Sequence, residues 1–171
     1  MRFIGPLWGI AGVCLLIGSA IYRLSSHAIE ALQRNDLSVL HWVTLIGFTL
    51  FMLFTEGYRG FQKKFSPRTA ARVRYLRDNP KLLHVLLAPL FCMGYFHATR
   101  KTRITVIILT SGIICLILLV RLCPQPWRGI IDVGVIAGLT YGTISFLLFC
   151  IKALTQKAFP HSPEVPLQSD S

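Results

Sequence analysis

Residues 81–101 read KLLHVLLAPLFCMGYFHATRK, and this stretch decides whether the chain crosses a membrane four or five times. Leu82–Phe96 gives only 15 apolar-dominated residues. As a helix they would reach about 22 Å, which is short of a hydrocarbon core of roughly 30 Å. Pro89 removes a backbone donor in mid-segment, and Gly94 adds flexibility. The stretch therefore predicts a re-entrant or interfacial hairpin over residues 82–97, with a fifth transmembrane helix as the alternative.

The composition of the whole chain is that of a polytopic membrane protein. Hydrophobic residues make up 53% of the 171 residues and charged residues 15%, yet the formal net charge is +11. Apolar residues come in blocks with the charges between them, and four blocks are long enough to span. These blocks lie at about residues 3–22, 37–55, 104–120 and 129–151. We therefore predict an all-α fold with four transmembrane helices plus the hairpin.

The chain divides into one helical membrane domain over residues 1–157 and a tail over residues 158–171. The tail contains three prolines and has no apolar period, so we expect it to be disordered. The first block could also be a cleaved signal peptide, because Gly18-Ser19-Ala20 is a passable cleavage site. The spacing of Gly5 and Gly9 favours a retained helix that packs against others.

The distribution of Lys and Arg predicts the orientation. The loop at residues 57–81 holds eight of these cations against one acid, Asp78, so we expect it in the cytoplasm. With residues 82–97 as a hairpin, 14 of the 18 Lys and Arg lie inside, whereas a fifth span leaves 11 inside. The positive-inside rule thus favours the hairpin, with both termini cytoplasmic in what we expect to be a bacterial inner membrane.

The basic loop contains a predicted helix at about residues 67–78, which Ser66-Pro67 begins and Pro80 ends. Its cations do not share one face, so it is not a simple amphipathic anchor. We expect the cations to contact anionic lipid head groups or a protein partner, or to be solvated as the topology signal alone. They are Lys63, Lys64, Arg68, Arg72, Arg74 and Arg77.

Polar groups in or beside the apolar blocks are the candidates for function. Asp132 is an intramembrane acid, although Arg128 lies four residues earlier and can pair with it. A second candidate is a polar cluster at the cytoplasmic interface, which forms if the hairpin returns to that side. Its members are Glu56, Tyr58, Arg59, His84 and His97.

Glycines at a spacing of four mark two helix-packing faces. Gly134, Gly138 and Gly142 follow one another in the last block, and Gly5 and Gly9 do so in the first. Small residues at this spacing let helix backbones approach closely. The partner helices are either internal or belong to another subunit, so we expect a membrane-protein partner or a homo-oligomer.

Motifs of known enzyme classes are absent from the sequence. It has no H-E-x-x-H, no G-x-S-x-G, no Gly-rich phosphate loop and no metal-like cysteine spacing. We therefore predict an accessory or scaffold subunit without metal or cofactor, and with no nucleic-acid partner. The alternative is a membrane-embedded enzyme acting on a phosphate-bearing or isoprenoid lipid, with Glu56, His84 or His97 as its acid–base group.

Residues 38–57, SVLHWVTLIGFTLFMLFTEG, resemble the His-Trp-started span of small di-haem membrane cytochromes of the b561 type. The resemblance covers one helix and implies haem ligation by His41 together with a second histidine at matching depth. His97 meets this requirement only if residues 82–97 cross the membrane. A haem-binding protein is therefore the third hypothesis.

Overall fold

The structure, a computed structural model, describes residues 3–34, 36–156 and 158–166, and it is all-α. The helices are α1 (Ile4–Leu32), α2 (Val39–Met52), α3 (Ser66–Asp78), α4 (Leu82–Leu86), α5 (Ala88–Met93), α6 (Arg100–Arg121) and α7 (Trp127–Thr155). Wide π-helical turns at Leu53–Phe65 join α2 to α3, so the helical course continues for 40 residues from Val39 to Asp78.

Four helical stretches are long and apolar enough to cross a membrane: Ile4–Leu32, Val39–Asp78, Arg100–Arg121 and Trp127–Thr155. Each overlaps one of the four predicted blocks, which confirms an all-α fold with four helices that are long and apolar enough to be membrane spans. Every stretch is longer than its block because a helix continues through polar residues that have good helix propensity. The hydropathy of a block indicates only the segment of each helix that is apolar enough for the hydrocarbon core of a membrane.

Residues 82–97, which we call the hairpin, form two short helices and a loop. α4 has five residues and α5 has six, so neither can cross a bilayer. Pro89 lies in the first turn of α5, where a missing N–H is harmless, and the helix ends at Gly94 with a φ of +94°. The left-handed conformation lets the N–H groups of Gly94 and Tyr95 bond back to Leu90, at 3.2 and 3.1 Å.

The long helices define two ends of a bundle. At one end, which we call the hairpin end, an added Cβ on Gly5 of α1 would be 3.0 Å from Val85 and 3.2 Å from Leu76. At the opposite end, Gly129 of α7 lies against Ala31 of α1. The beginning of α1, the end of α7, α3 and the hairpin therefore lie together.

The core is at the hairpin end and includes α3. Ala70, Val73 and Leu76 of α3 are fully buried in one cluster with Phe91 of α5 and Phe146 of α7. The helix has nearly the bounds that the sequence predicts, but the protein encloses it. Small alanines and apolar residues face α1, α5 and α7, which lets a helix with four arginines sit inside the fold.

Candidate functional site at the hairpin end

Arg72 is the central residue of the hairpin end and has no exposed surface. Its Nε donates to the carbonyl of Phe91 at 2.6 Å and Nη1 to that of Pro163 at 2.9 Å. Nη2 donates to the carbonyls of Phe96 and His97, at 2.9 and 3.0 Å. A guanidinium has five N–H donors in a fixed fork, and here it binds α5, the following loop and the C-terminal segment at once.

Arg74 and Arg77 bind the end of α7. Nη1 of Arg74 donates to the carbonyl of Ala153 at 3.3 Å and to that of Gln156 at 2.9 Å. Nη1 of Arg77 donates to the carbonyl of Leu154 at 2.9 Å. The last carbonyls of a helix lack intrahelical partners and carry partial negative charge, so cations are favourable there.

The six cations predicted to contact lipid or a partner therefore fall into two groups. Arg72 is buried, whereas Arg74 and Arg77 are half-buried and pair with Asp78; all three bind carbonyl groups of the protein. Lys63 and Lys64 are exposed, and Arg68 is half-buried with its Nε lacking a hydrogen-bond partner among the described residues. The exposed group is available for lipid contact, whereas the arginines of the carbonyl-binding group hold the fold together.

His84 and His97 lie side by side in the hairpin, with ring centroids 4.7 Å apart. His84 is 6% exposed and also stacks on Phe91 at 4.7 Å. Burial lowers the pKa of both histidines, and the nearby charges of Lys81 and Arg72 lower the pKa of each further. The pair is therefore harder to protonate than free histidine side chains are.

The predicted polar cluster is not a single site. Glu56 lies against the middle of α7, where an added Cβ on Gly138 would be 3.0 Å from its Oε2. Tyr58 stacks on Phe54 at 5.9 Å, and Arg59 is exposed. The histidine pair belongs to the hairpin, which packs against α1 near the end of the bundle. Glu56 lies within a continuous helical course, since the helix does not stop at residue 55.

Asp132 is buried near the beginning of α7, at 2% exposure. Arg128 and His27 both act electrostatically on its carboxylate. The Arg128 guanidinium, however, lies 2.7 Å from the His27 ring nitrogen, and Oδ2 of Asp132 has no hydrogen-bond partner among the described residues. The predicted pair is therefore a group of three, in which α1 supplies a histidine.

The helix-packing glycines contact side chains of this same chain. An added Cβ would be 2.6 Å from Phe48 at Gly134, and it would overlap the ring of Phe61 at Gly142. At Gly9 it would be 2.8 Å from Cys92 in the hairpin. The two glycine faces therefore have different internal partners: the helical course from Val39 to Asp78 for α7 and the hairpin for α1.

No sequence pattern predicts the role of three residues at this end, Thr99, Thr102 and Glu164. The carbonyl of Glu164 accepts a hydrogen bond from the Thr99 amide at 2.9 Å, and its carboxylate accepts one from the Thr102 hydroxyl. The described part of the tail, residues 158–166, is irregular but held by these contacts. Disorder of the tail, residues 158–171, stays a prediction, and residues 167–171 lie outside the described residues. Pairings between residues more than 60 apart in sequence leave no local pattern.

Two observations limit the chemistry of this end. The larger of two cavities in the described residues is about 220 Å³ and is lined by Ile4, Pro80, Leu82, Val85 and Leu86, with no titratable side chain. Within the described residues, no group of three or more His, Cys, Asp and Glu side chains is placed to hold a metal.

Comparisons of the chain with protein-family models, curated proteins and solved structures found no match.

The structure also separates the two histidines of the haem hypothesis. The His41 ring lies 4.9 Å from Trp127, the first residue of α7. His97 binds Arg72 of α3, whose neighbours Arg74 and Arg77 bind the last turn of α7. Because α7 has 29 residues, these positions are about 40 Å apart. His41 and His97 therefore cannot share one haem.

Proposed function

We propose that this protein is a non-enzymatic accessory or scaffold subunit of a membrane, with its hairpin end in the cytoplasm against anionic lipid. The observation that carries the proposal is the distribution of exposed cations. Several lie at the hairpin end, outside the carbonyl-binding group: Lys63, Lys64, Lys81, Arg100, Lys101 and Arg103. At the opposite end Arg34 pairs with Asp36 at 2.8 Å and Arg128 contacts His27, and the exposed cations besides these are Arg23 and Arg121 among the described residues.

The packing of the hairpin supports a re-entrant segment. α5 lies against Gly9 and Gly12 of α1, which are about 8 and 12 Å along the helix from Ile4. Nε1 of Trp8 donates to the carbonyl of Leu86 at 3.3 Å. The hairpin therefore enters alongside α1 and returns to the same end, since Thr99 meets the C-terminal segment there.

Two features favour a scaffold over the alternative of a lipid-modifying enzyme. Glu56 and the histidine pair are apart, so the acid–base groups expected for such an enzyme do not converge. The larger cavity also has an apolar lining. Partner binding stays a prediction, and because the glycine faces have internal partners, the open apolar surface of α6 beyond Thr110 is a candidate for it.

Lipid binding tests the proposal directly. Native mass spectrometry would count anionic lipids retained by the wild type and by a triple variant, Lys63→Gln, Lys64→Gln and Lys101→Gln. We expect affinity to fall about fivefold per cation, since each contributes about 1 kcal/mol near an anionic surface. A control that carries Arg23→Gln and Arg121→Gln at the opposite end should retain wild-type binding. Equal losses in both variants would remove the basis of the proposal.

Orientation is tested with two thiols at opposite ends. Cys123 follows α6, and a cysteine introduced at the exposed Lys101 would report on the hairpin end. A membrane-impermeant maleimide added outside should label Cys123 and leave position 101 unlabelled until the membrane is opened. Labelling of position 101 from outside would reverse the assigned orientation.

A further inference from the structure

α6 touches the rest of the protein mainly near its beginning. Thr102 and Val106 are its buried residues, and an added Cβ on Gly94 would be 3.3 and 3.5 Å from them. The Tyr95 hydroxyl lies 2.6 Å from Oγ1 of Thr110. Beyond Thr110 the helix is exposed except for the half-buried Val120. The position of α6 therefore depends on contacts made within its first three turns.

Residues 158–166, which we call the C-terminal strap, supply part of those contacts through Glu164. The Glu164 carbonyl accepts from the amide of Thr99, the N-cap residue of α6, at 2.9 Å. The Glu164 carboxylate accepts from the hydroxyl of Thr102. One residue of the strap thus binds two consecutive points in the first turn of α6, and a carboxylate is favourable at a helix N-terminus.

Other residues of the strap bind the bundle. The carbonyl of Pro163 accepts from Nη1 of Arg72 at 2.9 Å. Phe159 and Val165 pack against the core, and the His161 ring lies 5.9 Å from that of Phe149. The strap therefore connects α6 to α3 and α7. Apart from the strap, α6 makes few contacts with these two helices.

The strap is held by these contacts rather than by its own backbone preference. It has no helix or strand, and it contains prolines at 160, 163 and 166. Glu164 has a φ of +49° and His97, across Arg72, has a φ of +47°. Residues with a Cβ rarely adopt this conformation, and surrounding contacts must maintain it. Loss of the Glu164 contacts would let both segments relax.

We propose that the C-terminal strap is a conformational device that holds the beginning of α6 against the hairpin. When Glu164 is engaged, α6 is fixed relative to α3. When Glu164 leaves Thr99 and Thr102, α6 is free to move while α1, α2 and α7 stay packed through their own contacts. The proposal does not depend on which side of the membrane the hairpin end occupies.

Hydrogen–deuterium exchange of the full chain in nanodiscs tests this device. In Glu164→Ala, peptides that cover residues 98–106 and 158–166 should exchange about fivefold faster or more, because the carboxylate that accepts from Thr102 is lost and the backbone bond to Thr99 then holds the strap alone. Peptides from α1 and α7 should keep wild-type rates. Glu30→Ala is the matched control, since Glu30 is an exposed glutamate at the opposite end.

Two milder variants keep the test decisive if Glu164→Ala folds poorly. Thr102→Val keeps the shape of the side chain but removes the hydroxyl donor, so it should accelerate the same peptides. Glu164→Gln keeps an oxygen acceptor for Thr102 and should exchange nearly as the wild type does. Wild-type exchange in Thr102→Val would overturn the proposal, as would acceleration spread evenly over α1, α6 and α7.

Discussion

α6 and α7 are both long apolar helices, yet only α7 is integrated into the bundle. The most apolar 18 residues are 33% buried in α7 and 6% buried in α6, although α6 has the higher mean hydropathy, 2.6 against 1.9. Gly134, Gly138 and Gly142 of α7 each admit a side chain from the neighbouring helix, whereas Gly112 of α6 has no atom within 4 Å of an added Cβ. Hydropathy thus predicts which segments enter the membrane, and small residues opposite large ones decide which segments pack together.

The largest loss of stability should come from removing Arg72, which holds the hairpin end together beside α7. Arg72→Leu removes a buried charge-assisted donor from four carbonyls, one of them buried and three partly buried, so we expect a loss of about 3 kcal/mol. Arg72→Lys keeps the charge but not the planar fork, and it should recover only part of this loss. The melting temperature in detergent measures both. The exposed Arg59→Leu is the control, and an equal decrease there would contradict an internal role for Arg72.

A methyl group at Gly142 should have the second largest effect. The new Cβ would overlap the Phe61 ring near its Cγ, which cannot move aside as the tip of a flexible chain can. Overpacking of this kind costs about 1–3 kcal/mol, so Gly142→Ala should lower the melting temperature. Gly47→Ala on α2 is the matched control, because no atom lies within 4 Å of its added Cβ. If both variants melt together, α7 is not packed as described.

Much of the fold could be predicted because hydropathy is a local property. The four long helices each follow from a run of apolar residues, and the failure of residues 82–97 to form a long helix follows from Pro89 and Gly94. The position of Glu56 inside a continuous helix, against α7, could not be predicted in this way. Its helix continues to Asp78 through residues that no hydropathy window would assign to a span.

The site was less predictable because its contacts are non-local. Arg72 belongs to a basic stretch that is typical of a solvated loop, and nothing near it in sequence shows that its partners are carbonyls of Phe91, Phe96, His97 and Pro163. The strap has the composition of a disordered tail. Its order depends on Arg72 and Thr102, which lie 91 and 62 residues away from their partners.

Acid pH should lower the folding stability of the protein, because it protonates the histidine pair of the hairpin. His84 and His97 have pKa values below their ordinary 6.5, with burial as the main cause. The unfolded chain therefore binds protons at a higher pH than the folded protein does. Stability should be complete above about pH 6.5 and fall as the pH drops below that value. Melting curves between pH 7.5 and pH 5 measure this decrease.

A variant isolates the contribution of the two histidines. His84→Phe preserves the stack on Phe91, and His97→Asn suits a positive φ, so the double variant should fold with the hairpin in place. Its melting temperature should depend less on pH than that of the wild type over the same range. An unchanged pH dependence would assign the acid sensitivity to groups outside the hairpin.

The smallest change in melting temperature should come from enlarging Gly112 on the open surface of α6. Gly112→Leu adds a large side chain on α6 where the surface is open, and leucine has a better helix propensity than glycine. We expect the melting temperature of the isolated protein to change by the equivalent of no more than about 0.5 kcal/mol. A loss as large as that of Gly142→Ala would mean that α6 packs against something in the isolated protein, and the contrast with α7 would then fail. If the isolated protein is unaffected while its assembly in native membranes is reduced, as judged by blue-native electrophoresis, the open face of α6 is where another membrane helix binds.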